Sequence, residues 1–401
     1  MKKITLILIS CFYFVAQPSN AQRNTSNKAR AAEPDLITIK FTVAEAPEWT
    51  ALFTRNSGWF GGDGIYSIPL NGAEANGSPS DKTLFIFSDS MIGAIKDGKI
   101  EPGSKMIHNA TALLKGNQPV KDNLTFYWNN MDKGSAESVF VPKTPQTGSS
   151  DYYWLGDGFV NQDLNNAIYI FGYRVKQVSN GTFGFAEVGN TLIKIDAKQT
   201  QPFYVFQQKD TPFYLSESSG EMGSFGAGIY VNTSTAGAPK PDGYIYVYGV
   251  KGKTKKLLVA RVLPKYFENY GKWVFWDGIK WNSNIQDATA VTDRVSNELS
   301  LSALPDGRYA LIFQEGGIGK HVAMRLSKTP IGPFGPVIKI WDCSPQLTQK
   351  TFFAYNAKAH PSLSKKGELL ISYNVNSFDF FKDLNKDPQL YRPRFIKVKF
   401  Y

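Results

Sequence analysis

Cysteine and histidine are both scarce in this 401-residue sequence: two Cys, at positions 11 and 343, and three His, at 108, 321 and 360. None of the histidines has metal-ligand spacing, and no helix-borne His-Glu-x-x-His pair occurs. A Gly-x-Ser-x-Gly elbow, a phosphate loop and a dinucleotide fingerprint are also missing. Asp383-Leu384-Asn385-Lys386-Asp387 has the oxygen donors of a calcium loop but not its sixth-position Gly or closing Glu. Neither a metal nor a cofactor is therefore expected. Long apolar runs are wanting too. The longest, Ile4 to Ala16, is shorter than the roughly twenty residues that span a bilayer, so no transmembrane segment is expected.

That short run has another reading. Lys2 and Lys3 precede it, Gln17-Pro18 breaks it, and Ser19-Asn20-Ala21 supplies small residues before Gln22. This is the order of a secretory signal peptide, residues 1–21, and it predicts a secreted or periplasmic protein. A lipidated Cys11 after Leu8-Ile9-Ser10 is the lesser alternative, because Phe12-Tyr13-Phe14-Val15 continues the apolar core beyond it. Cleavage leaves Cys343 alone and excludes an internal disulfide. It lowers the net charge from +11 to +9, since Lys2 and Lys3 are lost. The remaining basic residues are scattered, which argues against nucleic acid as a partner. The expected partner is a polysaccharide or oligosaccharide, and the expected state is a monomer.

Residues 22–35 are polar and unpatterned and read as a flexible tether. From 36 to 401 short β-branched and aromatic runs, separated by Gly, Asn, Asp and Pro, predict an all-β domain without a convincing amphipathic helix. A hairpin unit recurs. Gly61-Gly62-Asp63-Gly64 leads to Ile65–Ile68 and then Thr83–Asp89; Trp154–Phe159 leads to Ala167–Gly172. Gly223–Tyr230 leads to Gly243–Gly249, Ser296–Leu301 to Arg308–Gln314, and Tyr355–Pro361 to Glu368–Asn374. The markers Asp63, Asp157, Ser224, Glu298 and His360 lie 94, 67, 74 and 62 residues apart. Each interval holds a four-stranded sheet, so a five-bladed β-propeller is favoured over an irregular β-sandwich. Ile37–Val43 and Phe395–Phe400 both alternate, and pairing N- and C-terminal strands in one blade would close the ring.

Within the first unit an antiparallel hairpin brings Asp63, before one strand, beside Asp89, after the next. Two acids at one mouth of the ring suit glycosidic cleavage, in which one protonates the leaving oxygen and the other acts across the sugar. Both are therefore candidate catalytic residues, weighed evenly against the turn-forming role of an Asp beside Gly. Asp157, Glu298, His360 and Asn356 occupy corresponding places and are candidate substrate-binding residues. Trp59 joins them as a sugar-stacking aromatic, although a Trp in a β-rich chain more often packs a core.

Gly58-Trp59-Phe60-Gly61-Gly62-Asp63-Gly64, Phe87-Ser88-Asp89 and Tyr391-Arg392-Pro393-Arg394-Phe395 together resemble a group of secreted bacterial five-bladed propellers. These were formerly filed as domains of unknown function and are related to endo-D-arabinanase-type glycoside hydrolases. The resemblance covers most of residues 36–401. It implies a furanoside-directed glycoside hydrolase, cleaving an arabinan-like polysaccharide, with Asp63 and Asp89 as the matching acids. It also points to Glu298 as a reserve acid, since the proton donor in related propellers comes from a different blade. The turn between the two acids is longer than expected for the arabinanase members. A non-catalytic carbohydrate-binding propeller and a protein-binding scaffold remain as alternatives.

Overall fold

The computed structural model describes residues 35–131, 134–179, 184–216, 218 and 220–401. The expected signal peptide and all of the expected tether except Asp35 lie outside them. Strands dominate the described residues, and no helix among them is long and apolar enough to cross a membrane. Two short α-helices, Pro47–Leu52 and Phe380–Lys386, add to the strands expected from sequence. The second occupies most of the segment with calcium-loop-like oxygens. There the Asp383 carboxylate accepts from the Thr351 and Ser377 hydroxyls at 2.7 and 2.6 Å.

Five larger antiparallel sheets follow one another along the chain. The first holds Tyr66–Pro69, Lys82–Phe87, Ala110–Lys115 and Leu124–Tyr127. The second begins at Tyr152–Asn161, the third is built on Gly223–Asn232, and the fourth begins at Leu299–Ala303. In the last sheet, Phe352–Ala359, Glu368–Ser377 and Pro393–Phe400 are joined by a strand from the other end of the chain, Phe41–Glu45. That strand pairs Phe41 with Phe400 and Glu45 with Ile396. It therefore starts four residues later than the alternation from Ile37 suggests.

A sixth, smaller sheet was not legible in the sequence. Ser57–Gly62 and Ser90–Lys96 pair, with Lys99–Ile100 and Lys105–Ile107 alongside. Its first strand precedes the first large sheet, and the other three lie between the second and third strands of that sheet. Its glycine-rich strand lacks the alternating apolar pattern that marks strands elsewhere.

Separate apolar cores lie between consecutive large sheets. Ile68, Leu84, Leu155 and Ile170 join the first to the second; Phe159, Phe171, Phe225 and Val247 join the second to the third. The last meets the first through Phe85, Phe87, Leu370 and Phe395. Tyr152–Asn161, Gly223–Asn232 and Phe352–Ala359, in the second, third and last sheets, share one irregularity. Their registers shift between Leu155 and Gly158, Phe225 and Gly228, and Tyr355 and Lys358. A bulge of this kind re-aims the side chains that it carries. Asp157 and Asn356, both singled out from sequence, sit in these bulges, and Asn356 takes a left-handed φ of 61°.

Candidate active site

Asp63 and Asp89 lie where the small sheet meets the first large one. Gly62 pairs with Ser90 on one side of them and Tyr66 with Ile86 on the other. Between these ladders the Asp63 N–H donates to the Asp89 carbonyl at 3.1 Å, and the Ser88 N–H donates to the Asp63 carbonyl at 2.9 Å. Glycine makes this geometry possible. A Cβ on Gly61 would lie 2.4 Å from the Tyr391 carbonyl oxygen, and Gly64 takes a φ of +62° with Ser88 packed against it. The Gly62 N–H donates to the Tyr391 carbonyl at 2.8 Å, so the two motifs at opposite ends of the chain form one structure.

The Asp63 carboxyl is half-buried among hydroxyls and other acids. The Tyr355 hydroxyl donates to its Oδ2 at 2.6 Å, and the Tyr391 hydroxyl also hydrogen-bonds it. Burial pushes its pKa up to about 8, and the nearby Asp89 and then Glu298 charges add to the rise, against the lowering effect of the two tyrosines. At neutral pH Asp63 thus holds a proton that an ordinary aspartate has lost. Tyr355 and Tyr391 are themselves pushed well above the usual phenol range, by burial first and then by the Asp63 charge.

Asp89 has a different shell. Its Oδ1 accepts from His108 Nδ1 at 2.9 Å and from Trp154 Nε1 at 3.0 Å. The His108 ring stacks on Tyr152 with centroids 3.7 Å apart, Tyr152 stands 6.0 Å from Trp154, and Trp154 meets Phe185 at 4.4 Å. An aromatic wall, all of it half-exposed, therefore rises beside the acid. Across the site, Glu298 makes an ion pair with Lys358, whose ammonium sits 4.5 Å from the centre of the Tyr66 ring. Burial raises the Glu298 pKa, and Lys358 opposes the rise.

Residues 47–401 match the family described as a domain of unknown function, DUF5005. The chain belongs to this family. Among solved structures it resembles a candidate hydrolase from Bacteroides ovatus, with a TM-score of 0.70 at 19% identity over 92% of each chain. At that identity the likeness is one of fold. An α-L-arabinofuranosidase from Podospora anserina, solved with cellotriose, gives a TM-score of 0.43 at 10% identity over 86% of this chain and 97% of that one. Another from Clostridium thermocellum gives 0.41 at 12% identity over 75% and 82%. No curated protein matches the sequence.

In this DUF5005 chain the residues marked from sequence separate into three places. Asp63, Asp89 and Glu298 are close enough for their charges to interact. Asp157 borders this cluster, since the charges of Lys358 and Glu298 reach it, but its carboxylate is engaged elsewhere. Its Oδ1 accepts from the Gly158 N–H and its Oδ2 from the Ile229 N–H at 2.8 and 2.7 Å, tying the second sheet to the third. Burial lifts its pKa to about 7. Asn356 turns its carbonyl to the Lys358 ammonium at 3.1 Å. His360 is 1% exposed and held between the Ser67 and Ser372 hydroxyls, at 2.9 and 2.8 Å. Burial lowers its pKa to about 3 and keeps it neutral. Trp59 is in the core, stacked on Phe126 at 4.6 Å with its N–H on Ser90, where no sugar reaches it. Tyr355, Tyr391, Lys358 and His108 belong to the acid cluster but were not marked. Tyr391, Tyr355 and Lys358 stood inside segments already recognised, whereas nothing near His108 in sequence signals its role.

Proposed function

We propose that this protein is a secreted or periplasmic glycoside hydrolase. It acts on a furanoside-containing, arabinan-like polysaccharide at one mouth of a five-bladed β-propeller closed by its terminal strands. The propeller reading is supported by the five successive large sheets, the core between the last and the first, and the pairing of Phe41–Glu45 with the C-terminal strand. The catalytic reading rests on one observation above the others: a carboxyl with its pKa pushed to about 8 stands beside a second acid fixed by two N–H donors.

In this reading Asp63 is the general acid. A glycosidic oxygen is a poor leaving group until it is protonated, and an acid that keeps its proton at neutral pH can supply one. Asp89 acts as base or nucleophile through its Oδ2, because its Oδ1 is occupied. The Glu298–Lys358 pair adds a compact dipole beside them and binds sugar hydroxyls. Tyr152, Trp154 and Phe185 present ring faces on which a sugar can stack.

Product analysis of the purified protein against a panel of arabinans and related furanosides tests the proposal. New reducing ends from at least one substrate support it. Saturable glycan binding without any product would instead favour the carbohydrate-binding alternative, which needs the aromatic wall but not the protonated acid. Mass determination of the exported chain tests export, with cleavage before Gln22 expected.

A further inference from the structure

The turn between the first two strands of the first large sheet, residues 70–81, reaches across the end of the inner strands remote from Asp63. Its Asn71 carbonyl accepts from Gln162 Nε2 at 2.9 Å, and its Glu74 N–H donates to the Ala236 carbonyl at 3.0 Å. Asn76 Nδ2 donates to the Glu368 carbonyl, and the Gly77 N–H to the Ser364 carbonyl, each at 2.9 Å. One loop is thereby tied to the connections of the second, third and last sheets. This gives the unexpected length of the turn a structural purpose.

Beside this loop is a cavity of about 270 Å³. Its walls include Ile229, Leu301 and Pro239 together with Glu74, Asp157 and Ser302, and exclude Asp63, Asp89 and Glu298. Glu74 Oε1 and the hydroxyl of Ser302, a residue only 2% exposed, have no hydrogen-bond partner there. Buried polar atoms are normally satisfied, and leaving them unpaired is costly. Burial, reinforced by the Asp157 charge, pushes the Glu74 pKa well above the usual carboxylate range.

We propose that this cavity is a second ligand site, which holds one neutral polyhydroxy molecule of monosaccharide size. The volume is near the small end of ligand pockets, which run from about 300 to 1,000 Å³, and it suits one ring rather than a chain. Sugar hydroxyls both donate and accept, which matches a protonated carboxyl and a serine hydroxyl together. The C–H faces of a ring suit the apolar walls. A cation, by contrast, would first have to displace the Glu74 proton. The site is independent of the catalytic reading of Asp63.

The test is ligand-observed NMR and thermal melting of the purified full chain with L-arabinose, D-arabinose and D-galactose. At least one sugar should bind saturably and raise the Tm. Glu74→Leu and Ser302→Val should each weaken that binding about tenfold or more, a loss of roughly 1.4 kcal/mol, while Asp63→Asn binds as the wild type does. If Ser302→Val fails to fold, Glu74→Leu, on a loop, decides alone. No saturable binding by any of the three sugars would overturn the proposal. So would binding that survives Glu74→Leu, or binding lost in Asp63→Asn. A Tm rise with calcium chloride alone that Glu74→Leu abolishes would make the cavity a cation site and overturn it as well.

Discussion

The backbone N–H of Asp63 donates to the carbonyl of Asp89 at 3.1 Å, so these two acids are held together by main chain rather than by their side chains. The ladders on either side of them fix the separation whatever the carboxyls carry. Side-chain chemistry can therefore be altered without dismantling the site, which is what a test of catalysis needs.

Replacing either acid by Asn should leave the fold intact and reduce cleavage by about 10² to 10⁴, the usual worth of a positioned acid or base. Asn keeps the shape of Asp but cannot deliver a proton. The measurement is kcat/KM on the substrate found by product analysis, with far-UV circular dichroism to verify folding. Wild-type rates in both variants would move the chemistry elsewhere.

Activity should fall as pH rises through about 8, where Asp63 loses its proton. Stability carries the same sign. Between the ordinary value of 3.8 and about 8 the folded chain binds this proton and the unfolded chain does not. The contribution of Asp63 is thus fully present below about 4 and is lost as pH rises towards 8. Denaturant melts of wild type and Asp63→Asn across this window check it: the wild type should lose stability relative to the variant as pH rises.

Tyr355→Phe removes a hydroxyl that donates to Asp63 and so favours its charged form. Without that hydrogen bond the Asp63 pKa should climb further. The alkaline limb of the rate profile should move to higher pH while the protein stays folded. An unmoved limb would show that another group sets it.

Two tryptophans should respond oppositely. Trp59→Ala empties a core position only 1% exposed and should destabilise the protein by about 3–5 kcal/mol. Trp154→Ala removes a donor to Asp89 and part of the aromatic wall, so it should raise KM and slow cleavage at smaller cost to stability. Chemical denaturation and steady-state kinetics on both variants separate the two roles.

Gly61→Ala would drive a methyl group into the Tyr391 carbonyl, 2.4 Å from the ideal Cβ. The backbone must shift, at a cost of about 1–3 kcal/mol, and that shift separates Asp63 from Tyr391. A loss of activity larger than the loss of stability accounts for is expected from parallel melts and rates.

Local pattern carried much of this protein in its sequence. Runs such as Ile168-Tyr169-Ile170-Phe171 and Tyr244-Ile245-Tyr246-Val247 declare strands because β-branched and aromatic side chains suit a pleated, half-buried surface. Their recurrence between Gly- and Asp-rich turns exposes the repeated unit, and hairpin geometry alone brings Asp63 towards Asp89. Contacts between distant segments have no such signature. The small sheet starting at Ser57 exists because Gly61 and Gly62 fit against Tyr391, Asp89 and Ser90, and no periodicity announces such a fit. Trp59 and His360 are candidate site residues in sequence because Trp and His serve sites as well as cores. Neighbours more than thirty positions away along the chain, Phe126 for one and Ser67 for the other, set their roles. The proton on Asp63 is likewise a property of the assembled site, because burial and the field of Asp89 and Glu298 act only when folding has brought those groups together.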